Sequence, residues 1–284
     1  MSIRKPLLLA VVLIATSCVG NAKGGDAYAL LPGARFKSVL SYDDIKASPT
    51  NAAAANVGLI QVNAFWYMIK PVTNAQFLVF VRQNPAWQRE RVPAVFAEAR
   101  YLSHWAAPLS LGALALPNQP VVNISWFAAS AYCESSGARL ANWTEWEYAA
   151  AADETRKDAR SDAAWREQIL RWYARPASHT LANVGETASN IYGMQDLHGL
   201  VWEWPGDYAS MLVSADSREQ SEQNRLQFCG AGAIAMDDKE NYAVLMRIAM
   251  FSSLQAHNVT SSLGFRCARD LPVPGNANPK VERK

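Results

Sequence analysis

The stretch that decides the fold is Asn190-Ile-Tyr-Gly-Met-Gln-Asp-Leu-His-Gly-Leu-Val-Trp-Glu-Trp204, completed much later by Gly264-Phe-Arg-Cys267. The first block sets two tryptophans around one carboxylate, Glu203, and places Asp196 earlier, across the turn that Gly199 permits. The second block puts a cysteine beside an arginine in an apolar setting. Calcium takes six to eight oxygens, and a tight loop supplies some of them from its carbonyls. On spacing alone two readings stand. Asp196, Gly199, Val201 and Glu203 wrap a cation, or Glu203 accepts backbone amides while Asp196 belongs to a turn; the pattern is not that of an EF-hand.

Working outward, the chain has 284 residues, half of them hydrophobic, which suffices for one large domain or two small ones. A net charge of +2 gives no electrostatic case for nucleic acid. Ten tryptophans suit a fold with large aromatic packing and few regular elements. Arg4 and Lys5 precede an apolar run from Pro6 to Ala15, and small residues follow at Gly20-Asn21-Ala22. This reads as a secretory signal over 1–22, cleaved before Lys23, and as too short for a membrane span. A lipoprotein reading on Cys18 lacks the usual leucine three positions before it. Export predicts an oxidising compartment. Cleavage leaves Cys133, Cys229 and Cys267, so one pair forms at most and one thiol is left over.

Residues 23–57 read as an extension and 58–270 as the ordered domain, beginning with an alternating strand over 58–69. Thr73 or Asn74 caps a helix with Phe77, Phe80 and Val81 on one face. The proline-rich span 84–118 reads as loop, and 120–126 as an extended segment. Ser125 caps a helix over Phe127–Ser135, and Asn142 with Glu145 forms a capping box before another. Residues 153–173 are charged with a helical pattern, 209–225 read as an exposed loop, a last strand starts at 264, and 271–284 reads as a disordered tail. These features predict one irregular, loop-rich α+β domain.

No phosphate loop, nucleophile elbow or HExxH is present, and His104, His179, His198 and His257 share no metal-ligand spacing. Each reads as structural or exposed. Cys229, flanked by glycines in Phe228-Cys-Gly-Ala-Gly232, fits a reactive thiol, a metal ligand or an inert buried thiol. Asn123, Asn142 and Asn258 begin glycosylation sequons.

Several blocks in order resemble one family. They are Pro71-Val-Thr-Asn-Ala-Gln-Phe77, Pro120 to Trp126, Ala131-Tyr-Cys133, Gly137-Ala-Arg-Leu140, Glu145-Trp-Glu-Tyr-Ala149, Tyr192-Gly-Met194, Gly199 to Trp204 and Gly264 to Ala268. The chain is similar over about 58–270 to the formylglycine-generating enzymes, the sulfatase-modifying factors. The resemblance implies a loop-rich variant C-type-lectin-like fold. It implies a Cys133–Cys267 disulfide and structural calcium at Asp196, the carbonyls of Gly199 and Val201, and Glu203. It also marks departures. Where authentic family enzymes hold copper(I) with two cysteines, this chain has Asp238 and Ala243. Copper(I) prefers thiolate, so no copper is expected there and formylglycine formation by the known route is not. The histidine and glutamate set of the related iron-dependent sulfoxide synthases is absent too, and Leu200 replaces the usual asparagine.

Exported family members that keep Phe-Cys-Gly-x-Gly and lack the copper cysteines include one that matures the siderophore pyoverdine in the periplasm, where it is needed to oxidise the dihydropyoverdine chromophore. Another accompanies copper nitrite reductase. The first expectation is therefore a periplasmic, oxidoreductase-like protein acting on a siderophore precursor or other small aromatic substrate, with other periplasmic maturation enzymes as partners. Trp202, Cys229 and Arg247 are the residues expected near its cleft. The alternative is a non-catalytic binding module on the same scaffold.

Overall fold

The computed structural model describes residues 27–38, 59–175, 180–208, 246–247, 249–251 and 253–272. The signal segment with Cys18, His179, the loop over 209–225, Cys229, Asp238, Ala243 and most of the tail lie outside the described residues.

The sheet grows from β-formers in short runs. β1 (Tyr28–Leu31) and β2 (Ala34–Lys37) come from the stretch read as an extension. The expected strand over 58–69 is two strands, β3 (Leu59–Val62) and β4 (Phe65–Met68). β1 pairs antiparallel with β4, Leu31 opposite Phe65, while β2 pairs with β3, Ala34 opposite Val62. Both ladders bend at the same place. A Cβ on Gly33 would stand 3.0 Å from the Ala64 nitrogen, so glycine lets the two bends touch. The extension is thus corrected to part of the fold: Leu31 and Phe36 are buried, and alanines and glycines around these four-residue runs hide their pattern. β8 (Cys267–Asp270) lies on the other side of β4, and β5 (Arg139–Leu140) closes the order β1-β4-β8-β5. β6 (Trp202–Glu203) and β7 (Leu263–Gly264) form a short parallel pair.

The helices follow their caps. In α1 (Asn74–Gln83), Thr73 and Gln76 complete a capping box, and Phe77, Phe80 and Val81 are buried as the periodicity predicts. α2 (Trp126–Ser135) starts one residue before the expected position, with Ser125 accepting from the Ala128 amide. α3 (Trp143–Ala150) carries the Asn142–Glu145 box and is buried almost all round. α4 (Ala163–Tyr173) occupies only the second half of the charged stretch. The first half is held in turns by Arg156, which bridges Asp153 and Asp162, and Asp162 then caps α4.

Two apolar clusters flank the sheet. In the first, Phe77 stacks on Tyr132 with centroids 5.7 Å apart and meets Trp105 and Phe265 edge-on. The second gathers Phe65, Tyr67, Trp146 and Tyr148. Cys133 of α2 and Cys267 of β8 form the expected disulfide, with Cα atoms 5.5 Å apart. The sequon asparagines are all engaged: Asn123 pairs with His104, Asn142 caps α3, and Asn258 bonds Glu98. Among the described residues no helix is long and apolar enough to cross a membrane.

The disulfide closes a separation of 134 residues. Replacing both cysteines with serine should cost about 2–5 kcal/mol in chemical denaturation. An unchanged midpoint would show that α2 and β8 hold together without it.

Candidate functional site

The signature run is built from turns that need special backbone. Asn190 Oδ1 accepts the amides of Tyr192 and Met194, and Gly193, Asp196 and Gly199 all have positive φ, at 80°, 60° and 87°. The chain then enters β6 beside β7. A Cβ on Gly264 would lie 2.7 Å from the Val121 carbonyl, which explains the glycine that opens Gly264-Phe-Arg-Cys267.

At the junction of these two motifs lies a buried ion pair. Arg266 donates to both oxygens of Glu203 from Nε, at 2.9 and 3.0 Å, and again from Nη2 at 2.7 Å. Its remaining donors reach the carbonyls of Ile69 at 2.9 Å and Gln195 at 2.9 Å. Burial works against the Arg266 charge, but Glu203 and neighbouring groups more than offset it and hold its pKa above the ordinary value. Arg247 adds a second guanidinium, donating to the Glu203 carbonyl and lying 3.7 Å above the Trp146 ring. Burial lowers Arg247 to about 10.

The four residues expected to hold calcium are placed as follows. Glu203 faces Arg266, not backbone amides. Asp196 accepts the Gly185 amide and the Thr187 hydroxyl, the latter at 2.9 Å. Gly199 and Val201 line a cleft. Both carboxylates therefore already hold protein donors, and the cation beside them is the Arg266 guanidinium. This donor set fits a calcium ion poorly.

The cleft has a volume of about 810 Å³ and opens on the outer side of β6. Trp202 and Tyr173 form one wall, stacked with centroids 4.9 Å apart and planes 29° apart. Trp172 continues it, packed so tightly on Gly199 that a Cβ there would stand 2.7 Å from the ring. Asn74, His104 and Asn123 also line the cleft. Asn74 Oδ1 takes the Trp105 indole at 3.0 Å and His104 Nε2 at 3.3 Å, while Asn123 Nδ2 meets His104 Nδ1 at 3.3 Å. These partners are all satisfied when His104 is neutral and carries its proton on Nε2. Burial, with a smaller effect of Arg89, lowers it to about 4. His198 is likewise lowered to about 4 by burial; it bonds the Ala150 carbonyl at 2.8 Å among the rings of Trp146, Trp165 and Trp172.

Of the expected cleft residues, Trp202 lines the cleft. Arg247 does not: it is 1% exposed and packs behind β6 against Trp146 and Phe251. Cys229 is outside the described residues. Sequence reasoning misses Trp172, Tyr173, Asn74, His104 and Asn123 as cleft residues. For Trp172 and Tyr173 the available signal is an aromatic pair ending a charged helix. For the floor residues there is none, because they come from three distant segments.

Comparison with known proteins matches residues 21–271 to the sulfatase-modifying factor enzyme 1-like domain. The formylglycine-generating enzyme of Streptomyces coelicolor is 30% identical over 60% of this chain, a match that spans 60% of that enzyme's length. The inactive C-alpha-formylglycine-generating enzyme 2 of Mus musculus is 27% identical over 96% of this chain and 95% of its own. The crystal structure of CarF aligns with a TM-score of 0.47 at 15% identity, covering 87% of this chain and 99% of that one.

Two measurements check the site. Arg266→Met leaves Glu203 charged and unpaired in the core, and should cost about 3–5 kcal/mol, part of which Glu203→Gln in the same chain should restore. Second, the folded pKa values of His104 and His198 lie below the unfolded value, so their contribution to stability is full above about 6.5. It is lost as pH falls toward 4. The denaturation midpoint should drop between pH 7 and 5, and a His104→Gln, His198→Gln chain should show a flatter drop.

Proposed function

The chain belongs to the sulfatase-modifying factor enzyme 1-like family, and from that premise we propose that it works in the periplasm in pyoverdine maturation, where it is needed to oxidise the dihydropyoverdine chromophore. The observation that carries this reading is the cleft beside β6, whose stacked Trp202 and Tyr173 offer a planar ring a matching face. Asp238 and Ala243 stand where copper-dependent relatives have cysteines, which argues against formylglycine formation. The remainder of the family scaffold then serves to hold the cleft.

In this reading Trp202 and Tyr173 bind and orient the ring. Asn74, His104 and Asn123 present a polar floor already bonded to itself, which positions rather than exchanges protons: both His104 nitrogens are occupied. Oxidation of the chromophore removes two electrons and two protons, and in the assay under air dioxygen takes both and leaves as hydrogen peroxide. Other periplasmic maturation enzymes are the partners this role implies. Structural calcium at Asp196, Gly199, Val201 and Glu203 is the family's implication alone: both carboxylates already hold protein donors, so millimolar calcium should leave the melting temperature unchanged.

The similarity to an enzyme named as inactive, across nearly the whole chain, favours a second reading in which the scaffold binds without catalysing. One assay separates the two. The mature chain is incubated with dihydropyoverdine under air and the chromophore absorbance is followed. Turnover is expected, and Trp202→Ala should lower kcat/KM by about tenfold or more. No turnover under air or with any added metal would sink the enzymatic reading and leave the binding one. Full activity of a Cys229→Ser variant would remove that thiol from the reaction.

A further inference from the structure

The cleft has a charge character that neither the family nor the fold assigns. Among the described residues, no aspartate or glutamate lines it. Its polar side chains are amides and hydroxyls, such as Gln119, Thr180, Ser261 and Ser262, and its one permanently charged side chain among the described residues is Arg175. Arg175 follows the end of α4, two residues after Tyr173, is exposed, and has no ion pair or side-chain hydrogen bond among the described residues. Arginines near it in sequence are used differently: Arg171 pairs with Glu167, and Arg166 bonds the Arg160 carbonyl. The charges buried behind β6 balance one another, Arg247 and Arg266 against Glu203 and Asp196. Among the described residues, Arg175 is therefore the net charge that the lining presents.

We propose that this cleft selects an anionic planar aromatic ligand, a phenolic or catechol ring bearing a carboxylate, with the ring on the Trp202–Tyr173 wall and the carboxylate on Arg175. A guanidinium presents a planar fork that matches a carboxylate in two hydrogen bonds. A cationic ligand would give up its hydration against a lining whose described residues offer no compensating carboxylate. A neutral ring keeps the stacking and gains nothing from Arg175. The inference rests on the proposed aromatic substrate and adds the charge by which it is chosen.

The test uses the full mature chain and three probes of one ring type: 2,3-dihydroxybenzoate as the anion, catechol as the neutral ring and dopamine as the cation. Binding is followed by quenching of tryptophan fluorescence. The anion should bind about tenfold more tightly than catechol, and dopamine more weakly than either. Arg175→Gln should bring the anion down to the level of catechol and leave catechol unchanged, while Arg171→Gln should change neither. Added salt should weaken the anion alone. Equal affinities for the three probes, preference for dopamine, no detectable binding of any probe, or an anion preference that survives Arg175→Gln overturns the proposal. Chromophore oxidation measured on the same preparations keeps the two ideas apart. Turnover without charge preference overturns the anion selection alone, and charge preference without turnover overturns the oxidation alone.

Discussion

The Glu203–Arg266 pair is the constraint around which the remaining parts are arranged. Arg266 sits between β7 and β8 and distributes its donors over three segments: the β6 carboxylate, the end of β4 through the carbonyls of Met68 and Ile69, and the turn at Gln195. Two buried charges are tolerated because each is fully hydrogen-bonded, and a pair of this kind gives placement more than net stability. What it places is β6. Trp202, on the same strand as Glu203, is thereby presented to the cleft, while Trp204 turns inward and bonds the Ile124 carbonyl at 2.9 Å. The pair thus connects the two signature motifs to the cleft wall.

The disulfide and the two aromatic clusters support that arrangement from behind. Cys133 and Cys267 tie α2 to the strand that follows Arg266, so the ion pair and the staple act on adjacent residues. Phe265, between Gly264 and Arg266, inserts into the cluster around Phe77 and Tyr132. Four consecutive residues therefore carry a close backbone approach, a core ring, a buried cation and a covalent link. None of these four roles depends on a metal.

Legibility in the sequence follows the range of the interaction. The capping box at Asn142–Glu145 spans one turn and is legible from residue type and spacing alone, whereas for α1 the sequence offers Thr73 or Asn74 and the structure selects Thr73. The apolar stripe of α1 is legible for the same reason. β1 and β2 are not, because four residues among alanines and glycines carry too little periodicity, and their pairing partners lie outside any local window. Arg247 is expected near the cleft from the sequence. The fold instead turns it inward onto Trp146, where its aliphatic stem and planar head are both covered.

The sequence by itself determined the family and the caps of α2 and α3, since each is written in local patterns, and through the family resemblance it implied the Cys133–Cys267 disulfide. Tertiary structure alone decided what those residues do to one another. Glu203 reads in the sequence as a cation ligand or an amide acceptor, and it is the partner of a guanidinium from Arg266, far along the chain. Trp202 acquires Tyr173 as a stacking partner, and Asn74, His104 and Asn123 are joined into one floor. The physical reason is that charge neutralisation and ring stacking require atoms within a few ångströms, and only chain closure brings residues this distant to that range.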